Sequence, residues 1–137
     1  MPTELTGYLI DTNIWSHLQR RTTTKLVHRF ANIPSNQMFL SPVVWGEMVT
    51  GFLKGDQAPY RRTAIDQIRS SAQRLRIDDG VAETYAQLRT SLETAGTPIG
   101  PNDTWIAAEA LHHKLVVVTD NVREFERVPQ LQVENWL

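Results

Sequence analysis

Gly100-Pro-Asn-Asp-Thr-Trp-Ile-Ala-Ala-Glu-Ala-Leu-His-His-Lys-Leu-Val-Val-Val-Thr-Asp-Asn121 reads as a helix followed by a buried strand, with a carboxylate at each outer end, Asp103 and Asp120. Asn102 or Asp103 can cap the helix, whose apolar residues Ile106, Ala107, Ala110 and Leu111 repeat at helical spacing. Leu115 to Val118 is an unbroken apolar run rich in β-branched residues, as expected of a strand covered on both faces. A helix over 103–112 runs about 15 Å out, and a strand over 115–119 runs about 17 Å back. The two lengths nearly cancel, which brings Asp103 and Asp120 to one edge of a sheet.

Working back toward the N-terminus, residues 7–10 read as a first strand ending at Asp11, with Thr12 and Asn13 following. Ile14 to Phe30 is helical, with a break at Thr22-Thr23-Thr24. Met38 to Leu40 forms a second strand, and Ser41-Pro42 starts an apolar helix that carries Glu47 in its second turn. Tyr60 to Arg76 is one amphipathic helix, and Ile77 begins a brief extended link. Asp78 or Asp79 caps a further helix closed by Gly96. Beyond Asp120, a turn or short helix spans 122–127, and Leu131 to Trp136 is a last strand at an edge.

Strands alternating with helices predict an α/β/α sandwich around a mostly parallel sheet. In such sheets ligands bind beyond the carboxyl ends of the strands, where the topology changes direction. Asp11, Glu47, Asp103 and Asp120 all fall on that edge. Each has a plainer reading: Asp11 and Asp103 as helix caps, Glu47 as a helix-surface residue, Asp120 as a turn residue. Taken together, however, like charges about 4 Å apart repel by roughly 4 kcal/mol at an effective dielectric near 20, so such a group needs protons or cations. An all-oxygen set suits Mg²⁺ or Mn²⁺, the ions of phosphodiester hydrolysis.

Composition narrows the alternatives. A chain of 137 residues makes one domain with a substantial core. It has no cysteine, which excludes disulfides, thiolate metal sites and thiol nucleophiles. No apolar run is long enough for a membrane span, and Met1-Pro-Thr-Glu-Leu5 lacks signal-peptide character, so a cytoplasmic location is expected. The net charge of −1 divides unevenly: residues 1–76 hold ten Lys+Arg against five Asp+Glu, and residues 77–137 hold four against ten. The basic half can meet phosphates while the acidic half supplies metal ligands, although ordinary scatter of surface charge gives the same count. None of His17, His28, His112 and His113 has a pairing that suggests a general base.

The motifs Leu9-Ile-Asp-Thr-Asn-Ile14, Ser41-Pro-Val-Val-Trp-Gly-Glu47, Thr97-Pro-Ile-Gly-Pro-Asn-Asp103 and Val118-Thr-Asp-Asn-Val-Arg-Glu-Phe125, with Val133-Glu-Asn-Trp136 closing the chain, resemble those of the PIN-domain ribonucleases. Within that family the chain is most similar to the VapC toxins of bacterial toxin–antitoxin pairs, over residues 1–137 as a single PIN-like domain. The resemblance implies a sheet of about five strands and a Mg²⁺- or Mn²⁺-dependent endoribonuclease using one or two ions. It assigns Asp11, Glu47, Asp103 and Asp120 to catalysis, and Asp11, Asp103 and Asp120 to the metal. Glu124 is able to share or replace the role of Asp120, and Thr12, Asn13, Asn102 and Thr119 fall on polar positions around the site.

The resemblance also implies a VapB-type antitoxin that fills a groove on the toxin, a homodimer within the complex, structured RNA (transfer RNA foremost) as substrate, and promoter DNA bound only through the antitoxin. Trp15, Trp45 and Phe52 are candidate anchors for the partner, and Arg20, Arg21, Lys25 and Arg61 are candidates to follow an RNA backbone. A non-catalytic PIN-like scaffold, its acids holding a structural cation, is the alternative. An aspartyl-nucleophile phosphatase is disfavoured because its second Asp is replaced by Asn13.

Overall fold

A computed structural model describes residues 7–21 and 23–137. The signal-peptide reading of the N-terminus and the identity of Thr22 within the interhelical break fall outside those residues. Strand β1 (Gly7–Ile10) leads into α1 (Thr12–Arg20) and α2 (Thr24–Ala31), then through a turn of 3-10 helix (Ser35–Gln37) to β2 (Met38–Leu40). Helices α3 (Pro42–Lys54) and α4 (Pro59–Ser71) connect to β3 (Gln73–Arg74). Helices α5 (Asp79–Thr94) and α6 (Pro101–His113) return the chain to β4 (Leu115–Val118), and α7 (Val122–Phe125) leads to β5 (Val133–Glu134).

The five strands form one parallel sheet in the order β3-β2-β1-β4-β5. The chain winds outward from β1 through β2 to β3, then crosses back to β4 on the other side of β1. The change of direction therefore lies between β1 and β4, with Ile10 paired to Val118 at their carboxyl ends. All four residues of β4 are buried, as a strand covered on both faces requires. Leu9, Ile14, Leu26, Ile106, Val117 and Phe125 are fully excluded from solvent around it. Tyr8, Trp136, Phe30 and Trp15 continue the packing as a chain of ring contacts at centroid distances of 5.0–5.3 Å. No helix of the described residues is long and apolar enough to cross a membrane.

Local chemistry explains most boundaries. Arg21 adopts a left-handed conformation after α1 and Thr23 caps α2 by accepting from the Leu26 amide, which places the expected break. Asp78, rather than Asp79, caps α5. Gly96 takes φ +74° just past α5, and the Thr97 amide returns to the Leu92 carbonyl. Nothing lies near a Cβ added to Gly96, so Gly96→Ala meets only the left-handed backbone penalty. The expected loss is about 1 kcal/mol of stability by urea unfolding, with no change in the fold.

Three expectations need correction. The helix expected over 60–76 stops at Ser71, and Gln73-Arg74 instead forms β3 beside Phe39 and Leu40. Gly100, rather than Asn102 or Asp103, is the N-cap of α6, because Pro101 at the first helical position sets the start two residues earlier. Asp103 consequently lies within the first turn, where the helix dipole favours a negative charge. The last strand is confined to Val133–Glu134.

Candidate metal centre

Asp11 stands where β1 gives way to α1, at the edge where the sheet topology reverses. Its amide extends the β1–β4 ladder by donating to the Val118 carbonyl at 2.9 Å. Its two carboxylate oxygens have separate partners: Oδ1 accepts from the Thr12 amide at 2.8 Å, and Oδ2 accepts from the Thr119 hydroxyl at 2.9 Å. The cap reading and the site reading of Asp11 are thus compatible. Thr119 is fully buried and its hydroxyl also accepts from the Asn121 amide at 3.0 Å, which fixes the loop after β4 against Asp11. Burial raises the Asp11 pKa, the Thr12 and Thr119 hydrogen bonds pull it down, and the charges of Asp120 and Glu124 raise it further.

Glu47 reaches the same edge from α3. Its pKa is raised by burial first and by the Asp11 charge second. The Thr12 hydroxyl lies near enough to favour the ionised form, yet among the described residues Thr12 Oγ1 and Glu47 Oε1 are both buried without a hydrogen-bond partner. A half-buried acid with an unpaired oxygen facing another acid is costly unless something positive joins it.

Asp103 and Glu124 meet around Gly100. A Cβ built on Gly100 would lie 3.6 Å from Glu124 Oε1 and 4.0 Å from Asp103 Oδ2. Glu124 Oε1 accepts from the Gly100 amide at 2.7 Å, and Oε2 accepts from the Asn121 side chain at 2.6 Å. Those donors, led by the Gly100 amide, lower the Glu124 pKa. Asp103 is pushed up to about 7, first by burial, then by sharing a proton with Glu124, and then by the charges of Glu124, Asp11 and Glu47. The two carboxyls therefore titrate as a pair, with Asp103 shifted upward and Glu124 downward.

Asp120 is exposed and accepts from the Asn13 side chain at 3.3 Å. Its charge reaches Asp11. Asn102 is exposed at the start of α6. The structure thus links Asp11, Glu47, Asp103 and Glu124 through their charges, with Asp120 on the rim.

Among the described residues, no three acidic or histidine side chains are already packed as a cage for one ion. The donor set is nonetheless all oxygen, mutually repulsive and short of compensating charge. Such a set would suit a hard divalent cation that keeps some of its waters; Asp11, Glu47, Asp103 and Glu124 would hold it, with Asp120 at the rim.

Beside Glu47 opens a groove lined by Thr12, Arg20, Phe52, Tyr60 and Arg61. Phe52 therefore remains available to a partner. Trp15 does not: it is buried against Phe30 in the core. Trp45 is half-buried beneath the guanidinium groups of Arg62 and Arg69, at 5.5 and 5.4 Å.

One buried acid escaped the sequence reading. Glu109 on α6 is fully excluded from solvent and bonds Ser41, 68 positions away. The available signal was its setting, Ile106-Ala-Ala-Glu-Ala-Leu111, since a helix apolar on nearly all sides leaves no wet face for a charge.

The PIN domain family profile matches residues 8–131. The tRNA(fMet)-specific endonuclease VapC of Salmonella typhimurium is 35% identical over 130 residues, which cover 94% of this chain and 97% of that protein. The solved structure of DNA-bound VapBC from Salmonella typhimurium superposes with a TM-score of 0.88 at 31% identity, over 98% of this chain and all of that one. VapBC2 from Rickettsia felis, solved bound to a DNA fragment from its promoter, gives 0.86 at 27% identity, over 95% of this chain and 98% of that one.

Proposed function

Since the chain belongs to the PIN domain family as a VapC-type member, we propose that it is the toxin of a VapBC pair, an endoribonuclease that hydrolyses structured RNA with Mg²⁺ or Mn²⁺ at the centre formed by Asp11, Glu47, Asp103 and Glu124. The observation that carries the metal is the under-neutralised carboxylate group, in which burial and neighbouring charges raise Asp11, Glu47 and Asp103 together. A divalent cation there supplies an activated water and stabilises charge developing on the phosphoryl oxygens.

The protein's own contribution is placement. Thr119 and the Thr12 amide hold both oxygens of Asp11 in fixed directions. Glu124 braces the first turn of α6 through the Gly100 amide and keeps Asp103 beside it. Glu47 presents a buried oxygen, Oε1, without a hydrogen-bond partner among the described residues. Arg20 and Arg61 line the adjoining groove, where they are suited to RNA phosphates. Transfer RNA is the substrate proposed, following the similarity to the Salmonella endonuclease.

The same reading assigns a VapB-type antitoxin as partner, a homodimer within the complex, promoter DNA contacted through the antitoxin, and a cytoplasmic location. The test is cleavage of a transfer RNA pool by antitoxin-free protein. Metal-stripped protein should be inactive, and Mg²⁺ or Mn²⁺ should restore cleavage. Cleavage undiminished by EDTA would remove the metal from the reaction, and metal binding without any cleavage would leave only the scaffold reading.

A further inference from the structure

Glu109 and Ser41 join the two helices that bring Glu47 and Asp103 to the site. Ser41 caps α3, its Oγ accepting from the Val43 amide at 3.0 Å while its hydroxyl donates to Glu109 Oε1 at 2.5 Å. Both residues are fully buried, and Glu109 Oε2 has no hydrogen-bond partner among the described residues. Burial pushes Glu109 up to about 7 against the opposing effect of the Ser41 bond.

Such an acid is a poor element of a core built for stability alone. An apolar side chain of similar volume would fill the space with no polar atom left unsatisfied. The position of the bond suggests what it does instead. Glu47 lies six residues beyond Ser41 on α3, and Asp103 six residues before Glu109 on α6. At the helical rise, each acid sits about 9 Å along its helix axis from the tie. Helices of this length are stiff over that distance, so a fixed point between them sets the spacing of the two carboxylates.

We infer that Glu109 is a positioning residue, whose buried bond to the cap of α3 sets the separation of Glu47 and Asp103 and thereby the affinity of the centre for its cation. The inference rests on the proposed metal site, and the two can be tested separately.

The measurement is Mn²⁺ binding to the purified chain by calorimetry, with thermal unfolding of the metal-free protein beside it. Glu109→Leu is expected to weaken Mn²⁺ about tenfold, within the range for groups that act on a metal through other residues, while the metal-free melting temperature stays level or rises. Glu109→Gln keeps a group that can bond Ser41 and is expected to bind Mn²⁺ as the wild type does. Wild-type affinity in Glu109→Leu, or a loss in Glu109→Gln as deep as in Glu109→Leu, overturns the inference. If Glu109→Leu does not fold, Ser41→Ala tests the same bond from its other end: weakened Mn²⁺ binding supports the inference and unchanged binding overturns it. Failure of the wild type to bind Mn²⁺ would overturn the metal site itself, and the inference with it.

Discussion

Asp103→Asn is expected to lower RNA cleavage on the order of a thousandfold, about 4 kcal/mol of lost transition-state stabilisation, while the protein stays folded. Asp103 is the acid on which the others converge: it shares a proton with Glu124 and feels the charges of Asp11 and Glu47. Asparagine preserves shape in the first turn of α6 but cannot become the anion that a cation needs. Cleavage rates measured at saturating Mg²⁺ decide the matter, and activity within about tenfold of wild type would exclude Asp103 as a ligand.

The same substitution has an opposite effect on stability. The Asp103 pKa is raised from 3.8 to about 7, so the folded chain holds this proton more tightly than the unfolded chain does. Its favourable contribution is therefore complete below 3.8 and is lost as pH rises through about 7. Above that pH, metal-free wild type must keep Asp103 ionised among other carboxylates, whereas Asp103→Asn does not. Metal-free Asp103→Asn should melt above wild type at pH 8, and the difference should reverse or vanish near pH 5. Mg²⁺ should close the gap at pH 8 by stabilising wild type alone, because a ligand that binds only the folded state raises its melting temperature.

Elements with a local physical signature were legible in the sequence. Leu115 to Val118, apolar throughout and rich in β-branched residues, read as a strand covered on both faces, and every one of its residues is buried. The estimate that helix and strand lengths cancel needed no tertiary information, and it brought the start of α6 and the end of β4 to one edge. The resemblance supplied the strand count, because β3 is two exposed polar residues whose only identity comes from pairing with Phe39 and Leu40. Glu109 was missed for a related reason: its partner lies 68 positions away, and no local pattern specifies such a pair. Gly100-Pro101 starts the helix, although Asn102 and Asp103 are the residue types that more often cap one. Gly100 makes no side-chain cap, and its amide is satisfied by Glu124 from another element.

Glu124 and Asp120 were both candidates for the fourth acid, and their substitutions should separate sharply. Glu124→Gln is expected to weaken cleavage and Mn²⁺ binding on the order of a hundredfold, the upper range for groups that orient metal ligands. The amide cannot be the charged member of the pair with Asp103, and one of its two ends is a donor where Glu124 now accepts from both Gly100 and Asn121. Asp103 would then lose both the neighbour that shares its proton and the brace on its helix turn. Asp120→Asn should cost no more than a few fold, since Asp120 is exposed, is bonded among the described residues by Asn13 at 3.3 Å, and acts on Asp11 through its charge. That residual effect should shrink as salt is raised, whereas the loss in Glu124→Gln should persist, because the Gly100 contact at stake there is short and part-buried. A hundredfold loss in Asp120→Asn with Glu124→Gln nearly intact would reverse the assignment and draw Asp120 into the centre when the cation binds.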